Sequence, residues 1–221
     1  MKTHFESSRT GHEVLFIDGK ATASTIDPVK EATSWVAANY SVASLGKGEA
    51  LVVLGAGSGF HIAALHAEVG NKSERKIVVI DTCKSSIEFV RARYSHLPEI
   101  KYVLVEAGTT FSEFYRRNDV IDWAFEPFTL LRHRSSMVRN SDLSQMEECL
   151  VGRSVQAFRA QLEARPSLAS ALNSGRLKKL AEAKLTSKGL ISVRDLTSVW
   201  EVSSEPSTER RLLRVLEELV R

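Results

Sequence analysis

Three glycines at alternate positions, Gly55, Gly57 and Gly59, follow the apolar residues LVVL. A second apolar run, KIVVID, ends on Asp81, which lies 22 residues after the last of these glycines. Glycines at the end of a buried strand let the backbone approach a ligand closely, and the next helix offers free N–H groups to an anion. A carboxylate at the end of the neighbouring strand can accept hydrogen bonds from ribose hydroxyls. This order predicts a pocket for an adenosine-type ligand; the alternative is that the glycines only allow tight packing and that Asp81 caps the next helix.

Two further side chains could contact such a ligand or its substrate. His61 directly follows the glycine loop at the expected start of a helix, where a neutral imidazole is favoured over a charged one. Glu126, in the segment DWAFEPF, could act as a base or a polar anchor at the rim of the pocket. Each also has a structural alternative, His61 as a filler of the junction of loop and helix and Glu126 as part of a loop that leaves a strand. No activated nucleophile, Walker-type phosphate loop or metal-ligand spacing accompanies them, so we expect no metal site.

The elements that must position these residues alternate regularly along the chain. Four apolar runs indicate strands, with amphipathic segments between them, at 51–55, 76–81, 102–107 and 120–125. Strands written as continuous apolar runs and separated by amphipathic helices are typical of a parallel sheet covered on both faces. We therefore predict an α/β fold with a Rossmann-like parallel sheet covered by helices.

The flanking segments predict two smaller parts. Asp18-Gly19 is a favoured hairpin turn between two short runs and predicts a small β element, after which Asp27-Pro28 offers a helix N-cap and a first-turn proline. Beyond residue 135, apolar residues recur at helical spacing and predict a helical C-terminal extension. The predicted domains are the β element, a Rossmann-like nucleotide-binding domain and the helical extension, at 1–26, 27–135 and 136–221.

The glycine loop resembles the first motif of class I S-adenosylmethionine-dependent methyltransferases. Asp81 matches the acid of that family's second motif, and Glu106, after the third strand, stands where the family often contacts the adenine. The resemblance implies S-adenosylmethionine as cofactor, with the three glycines lining it and Asp81 holding the ribose, and methyl transfer to an unidentified acceptor. Val53 stands where the family usually carries an acid that helps to hold the amino-acid end of the cofactor. This departure favours the alternative of a non-catalytic binding or scaffold protein.

A narrower resemblance covers residues 12–135. The segment IDPVKEA followed by LGAGSGFH is similar to the N-terminal region of bacterial motility accessory factor proteins. That family is associated with flagellin glycosylation by nucleotide-activated sugars. Because the similarity is to an accessory portion, it implies a binding or scaffold role in glycosylation or motility machinery, and a transferase activity does not carry over from it.

Composition limits the expected partners. The chain has 221 residues, 43% of them hydrophobic, and no apolar stretch approaches the roughly 20 residues that cross a bilayer. Its first residues lack the apolar centre of a secretory signal and its two cysteines are far apart, so we expect a cytoplasmic protein with reduced thiols. Residues 1–131 carry 14 Lys and Arg against 16 Asp and Glu, while residues 132–221 carry 16 against 11. The net charge of +3 does not indicate a nucleic-acid partner. We expect a small-molecule nucleotide ligand, and the C-terminal helices could pack on a protein partner.

Overall fold

The N-terminal residues form a three-stranded antiparallel sheet in the computed structural model, which describes residues 2–39, 50–69, 76–97, 99–124, 128–137, 141–151, 155–164 and 169. Its strands are β1 (Thr3–Ser7), β2 (Glu13–Ile17) and β3 (Lys20–Ala21), in the spatial order β1-β2-β3. Both residues of the turn between β2 and β3 have positive φ, 48° at Asp18 and 75° at Gly19. A type I′ hairpin turn requires these angles. The predicted β element is confirmed, with β1 as an additional strand that the sequence did not indicate.

Helix α1 (Pro28–Asn39) follows this sheet. The Asp27 carboxylate accepts the Lys30 N–H at 2.9 Å and so caps the start of the helix, as its sequence predicts. Ala32 and Val36, four residues apart, are buried on one face of α1. This face anchors the helix in the core.

A four-stranded parallel sheet forms the centre of the α/β part. It consists of β4 (Ala50–Leu54), β5 (Ile77–Asp81), β6 (Ile100–Leu104) and β7 (Phe128–Arg132), in the order β6-β5-β4-β7. Helix α2 (Phe60–Val69) connects β4 to β5, and α3 (Lys84–Arg93) connects β5 to β6. Every residue of β4 and β5 is buried, as continuous apolar strands covered on both faces should be. The predicted Rossmann-like α/β fold is confirmed.

The fourth strand lies later in the chain than the sequence predicts. Residues 120–125 were predicted as a strand, but residues up to 124 belong to helix α5 (Asn118–Ala124), which follows α4 (Phe111–Arg116). The buried side chains of α5 are Val120, Trp123 and Ala124, which lie at helical spacing. The Trp123 indole also donates to the Asp119 carbonyl oxygen one turn earlier, at 2.8 Å. The strand prediction was therefore wrong, and the short run at 128–132 pairs with β4 instead.

The described residues after β7 are helical. They form α6 (Arg134–Met137), α7 (Ser141–Val151) and α8 (Val155–Glu163), and the helices predicted beyond residue 169 lie outside the described residues. The chain forms two compact units, one of residues 1–107 with 128–144 and one of residues 108–127 with 145–221. In the second unit the Tyr115 hydroxyl donates to the Cys149 carbonyl oxygen at 2.7 Å and accepts from the Gln161 amide at 2.5 Å. The predicted domain boundaries stay a prediction.

Within the described part of the chain, no helix is long and apolar enough to cross a bilayer.

Candidate functional site

Strand pairing brings the predicted ligand site to one edge of the parallel sheet. Backbone hydrogen bonds link neighbouring strands at their carboxyl ends. The Gly55 N–H donates to the Ile80 carbonyl oxygen at 2.8 Å, the Val105 N–H to the Asp81 carbonyl oxygen at 2.9 Å, and the His133 N–H to the Leu54 carbonyl oxygen at 2.9 Å. The glycine loop, Asp81 and His133 therefore share the carboxyl edge. The order of the strands reverses between β4 and β7, which is where open α/β sheets form their ligand crevice.

The glycine loop depends on glycine for its backbone conformation. Gly55, Gly57 and Gly59 have φ values of 95°, 51° and 82°, in the left-handed region that other residues rarely adopt. A Cβ at Gly55 would collide with the Ser136 side chain, and one at Gly57 would lie 3.1 Å from the Ser136 hydroxyl and 3.2 Å from a His133 ring carbon. Side chains of the protein itself thus pack against the first two glycines.

The third glycine permits close packing of helix α3. A Cβ at Gly59 would lie 2.6 Å from a ring carbon of Tyr94 and 3.0 Å from both methyl groups of Val90. Both neighbours lie at the C-terminal end of α3 or directly after it. Gly59 therefore provides the tight packing that the sequence offered as an alternative to ligand binding.

The loop is also fastened to the N-terminal sheet through Ser58. The Ser58 hydroxyl accepts the Leu15 N–H at 2.9 Å and shares a hydrogen bond of 2.7 Å with the Thr22 hydroxyl. All three residues are buried. The N-terminal sheet therefore covers the loop with satisfied polar contacts.

Asp81 is turned into the protein, with 2% of the residue exposed. One carboxylate oxygen accepts the Ala56 N–H at 2.7 Å, and the other accepts the Cys83 N–H at 2.9 Å. Burial raises the pKa of Asp81, and these backbone hydrogen bonds oppose the increase. The carboxylate thus ties the glycine loop to the start of α3, and a contact with ribose stays a prediction.

Two stacked histidines lie beside the loop. The rings of His61 and His133 have centroids 3.7 Å apart and an interplanar angle of 3°, and the residues are 3% and 5% exposed. Burial, followed by the neighbouring His133, lowers the pKa of His61 well below its usual value. The neutral His61 ring donates its Nε2–H to the Gly55 carbonyl oxygen at 2.9 Å. Trp35 meets both rings edge-on, with centroids 5.2 Å and 6.3 Å away.

A pocket opens beside these aromatic rings, with a volume of about 160 Å³. We name it the switch pocket because it lies where the strand order reverses. Its aromatic lining is Trp35, Phe60, His61 and His133, its apolar lining is Ala23, Pro28 and Ala32, and its polar lining is Glu31, Asn39, Arg132, Arg134 and Ser135. The Trp35 indole donates to the Arg132 carbonyl oxygen at 3.0 Å, which fixes the ring in the wall. An aromatic wall beside exposed guanidinium groups suits a ligand with a planar ring and a negative charge.

The predicted site residues are only partly brought together at this pocket. His61 lines it, whereas the three glycines and Asp81 are not among its lining residues. Glu106 is exposed two residues after β6 and does not line the pocket, and Glu126 lies outside the described residues. Burial raises the pKa of the Cys83 thiol, so this cysteine is not an activated nucleophile. Among the described residues no group of three or more His, Cys, Asp and Glu could hold a metal ion.

Sequence reasoning missed most of the pocket. Trp35 lies on the amphipathic helix α1, where an aromatic residue is usually part of the core, so its type and spacing alone do not indicate a ligand site. His133 and the two arginines beside it were passed over because the fourth strand had been placed at 120–125. With the strand at 128–132, the segment RHR falls at the carboxyl edge of the sheet, which is the signal that could have found it.

Comparisons with known proteins assign no family to this chain. No protein-family model matches this chain, and no curated protein matches it in sequence. The family resemblances of the glycine loop therefore rest on its own residues. The chain is an α/β protein with a Rossmann-like parallel sheet, an N-terminal antiparallel sheet and helices after the last strand.

Proposed function

We propose that this protein binds a small molecule of the nucleotide class in the switch pocket. The observation that carries the proposal is the position of the pocket at the reversal of strand order, with the His61–His133 stack as a wall and Arg134 exposed at the rim. A base or other planar ring would pack against the aromatic wall, and its phosphate or carboxylate would be held by the guanidinium. The volume of about 160 Å³ is below the roughly 300–1,000 Å³ of sites for drug-sized ligands, so the pocket suits one part of a nucleotide.

S-adenosylmethionine is the first member of this class to test, because the glycine triplet and Asp81 resemble the methyltransferase pattern. The arrangement described fits that cofactor poorly. Asp81 is 2% exposed with both oxygens already accepting backbone N–H groups, and protein side chains fill the faces of Gly55 and Gly57. We therefore propose the switch pocket, rather than the glycine loop, as the ligand site.

Calorimetry tests the proposal directly. S-adenosylmethionine, S-adenosylhomocysteine and a set of nucleoside mono- and diphosphates are titrated into the protein. Arg134→Ala should weaken binding of the anionic ligands about tenfold or more, since a hydrogen bond to a charged group contributes about 1.5–3 kcal/mol. Arg9→Ala is the matched control, because Arg9 is also exposed but lies outside the pocket. Equal affinity in both variants would contradict the switch pocket as the site.

A non-catalytic scaffold role is the second candidate. It is supported by the packing of the glycine loop, in which Ser136 and His133 lie against Gly55 and Gly57 and Ser58 is hydrogen-bonded to the N-terminal sheet. Absence of heat and of any thermal shift with every ligand at millimolar concentration would contradict the proposed ligand binding. That result would favour the scaffold role, which the narrower resemblance to motility accessory factors also implies.

A further inference from the structure

Strand β1 forms one edge of the N-terminal sheet, and its five residues are all exposed. It pairs with β2 on one side, with Phe5 opposite Leu15. No described strand pairs with its other side. An edge strand with free N–H and C=O groups is a template for pairing with another chain.

The backbone groups that face the free side can be identified from the hydrogen bonds at the two ends of β1. Asp18 N–H donates to the Lys2 carbonyl oxygen at 2.8 Å, and Ser8 N–H donates to the His12 carbonyl oxygen at 2.7 Å. Even-numbered residues therefore face β2. Since hydrogen-bonding direction alternates along an antiparallel strand, the odd-numbered residues 3, 5 and 7 direct their N–H and C=O groups away from β2.

The residue order of β1, Thr-His-Phe-Glu-Ser, is chemically self-complementary. If a second β1 lies antiparallel with Phe5 opposite Phe5, then His4 lies opposite Glu6 twice and Thr3 lies opposite Ser7 twice. In one chain His4 and Glu6 already hydrogen-bond at 3.0 Å on the same face, with side chains 48% and 58% exposed. Across the new pair they would be directly opposed at non-hydrogen-bonded positions, where side chains are closest.

The other face of β1 offers an aromatic contact at the same centre. Phe5 is 44% exposed, although its ring centroid lies 4.6 Å from that of Phe89 on α3. In the paired arrangement the two Phe5 side chains meet at the symmetry axis, each already supported by its own Phe89. The apolar surface left open in one chain is thereby covered by its equivalent.

We propose that β1 pairs with the β1 strand of a second copy of this chain, antiparallel about a two-fold axis at Phe5. The result is a continuous six-stranded antiparallel sheet across a symmetric dimer. The interface is isologous, because each contact from residue 4 to residue 6 occurs twice. This inference does not depend on the switch pocket or on its ligand.

Sedimentation velocity on the full chain tests the oligomeric state. We expect a concentration-dependent species of twice the 24.5 kDa mass of one chain. Phe5→Pro removes an N–H that faces the free edge and no N–H that faces β2, so it should abolish the dimer while circular dichroism stays unchanged. A native chain that sediments as a monomer at every concentration would overturn the proposal, as would a dimer that persists in a folded Phe5→Pro variant.

Exchanging the residues at positions 4 and 6, whose side chains are 48% and 58% exposed, tests the register. His4→Glu places two acids opposite each other and should raise the dimer dissociation constant roughly tenfold, since opposed pairs contribute up to about 1 kcal/mol each. Adding Glu6→His to His4→Glu restores opposite partners and should restore the dimer. Failure of the second change to restore it would overturn this register.

Oxidative cross-linking tests the position of the axis. Phe5→Cys places a thiol opposite its own copy, where paired Cα atoms are about 5.5 Å apart, within the range of a disulfide. Air oxidation should give a covalent dimer that dithiothreitol reverses. Val29→Cys is the matched control at 46% exposure, and both native cysteines are buried. Equal cross-linking in the two variants, or none at position 5, would contradict the two-fold axis at Phe5.

Discussion

The stacked side chains of His61 and His133 should make the stability of this protein depend on pH. Both rings are buried against each other, and the Nε2–H of His61 is used by the Gly55 carbonyl oxygen. A proton added to His61 would place a charge in a desolvated site beside a second imidazole. The native state therefore holds His61 neutral.

Stability should consequently fall as the solution becomes acidic. The folded-state pKa of His61 lies below its unfolded value of about 6.5, so the unfolded chain binds this proton first. His61 therefore contributes fully to the free energy of unfolding above about pH 6.5. Below that pH the free energy of unfolding decreases by up to about 1.4 kcal/mol per pH unit. Urea unfolding at pH values between 7.5 and 5 measures this slope.

The His61→Gln variant isolates the contribution, because glutamine can still donate to Gly55 and does not titrate. The raised pKa of Asp81 has the opposite effect on how stability depends on pH. The folded state binds this proton more tightly than the unfolded chain, because protonation removes a buried charge. Asp81 is present in both proteins, so the difference between them reports His61. Parallel stability curves for the two proteins would contradict a buried neutral His61.

Gly59 and Gly11 separate the effects of backbone angle and of space. Their φ values are 82° and 79°, but a Cβ at Gly59 meets Tyr94 at 2.6 Å whereas one at Gly11 meets nothing within 4 Å. Gly11→Ala should cost about 1–2 kcal/mol for the left-handed backbone alone. Gly59→Ala should cost about 1–3 kcal/mol more, the typical effect of overpacking. Chemical denaturation of both variants measures the difference, and equal losses would contradict close packing at Gly59.

At the scale of elements, Ser58 joins the glycine loop to the N-terminal sheet. Ser58→Ala leaves the buried Leu15 N–H without its acceptor, which should cost about 1–3 kcal/mol. The hydrogen-exchange rate of the Leu15 amide should rise by the factor that corresponds to this loss of free energy. Thr33→Ala is the control, since that exposed hydroxyl donates to the Val29 carbonyl oxygen within its own helix and its removal should change stability by about 0.5 kcal/mol or less. An unchanged Leu15 exchange rate in Ser58→Ala would contradict the role of this contact.

The fourth strand illustrates why element type is the weaker part of sequence reasoning. Residues 120–125 and 128–132 are both short apolar runs, and periodicity over so few residues does not separate a strand from a buried helix. Residues 118–124 fold as a helix that buries one face through Trp123, while residues 128–132 find the open edge of β4. Pairing across the sheet decided the assignment.

Strand β7 completes the first compact unit from a distant part of the chain. It pairs with all five residues of β4, every one of them buried, and contributes Leu131 to the central core cluster. A fragment of residues 1–107 lacks this strand, so β4 would be left as an exposed apolar edge.

We expect this fragment to lose cooperative unfolding. The intact chain, as the control, should show a sigmoidal transition in circular dichroism on heating, and the fragment a gradual change or aggregation. A sharp, reversible transition of the fragment would contradict a unit that requires β7.

Three strands of the parallel sheet, the hairpin turn and the glycines of the loop were predictable from the sequence, because each follows from local chemistry. Buried strands must be apolar on both faces, Asp18-Gly19 tolerates the two positive φ values of its turn, and Gly55, Gly57 and Gly59 supply the left-handed angles of the loop. The position of His61 at the start of α2 was likewise predictable from the sequence. The neighbours of these residues, by contrast, were set by the tertiary fold. It packed Ser136 against the glycines, turned Asp81 inward and stacked His133, 72 residues further along the chain, on His61. Contacts between distant segments depend on strand order and close packing, which no local pattern encodes.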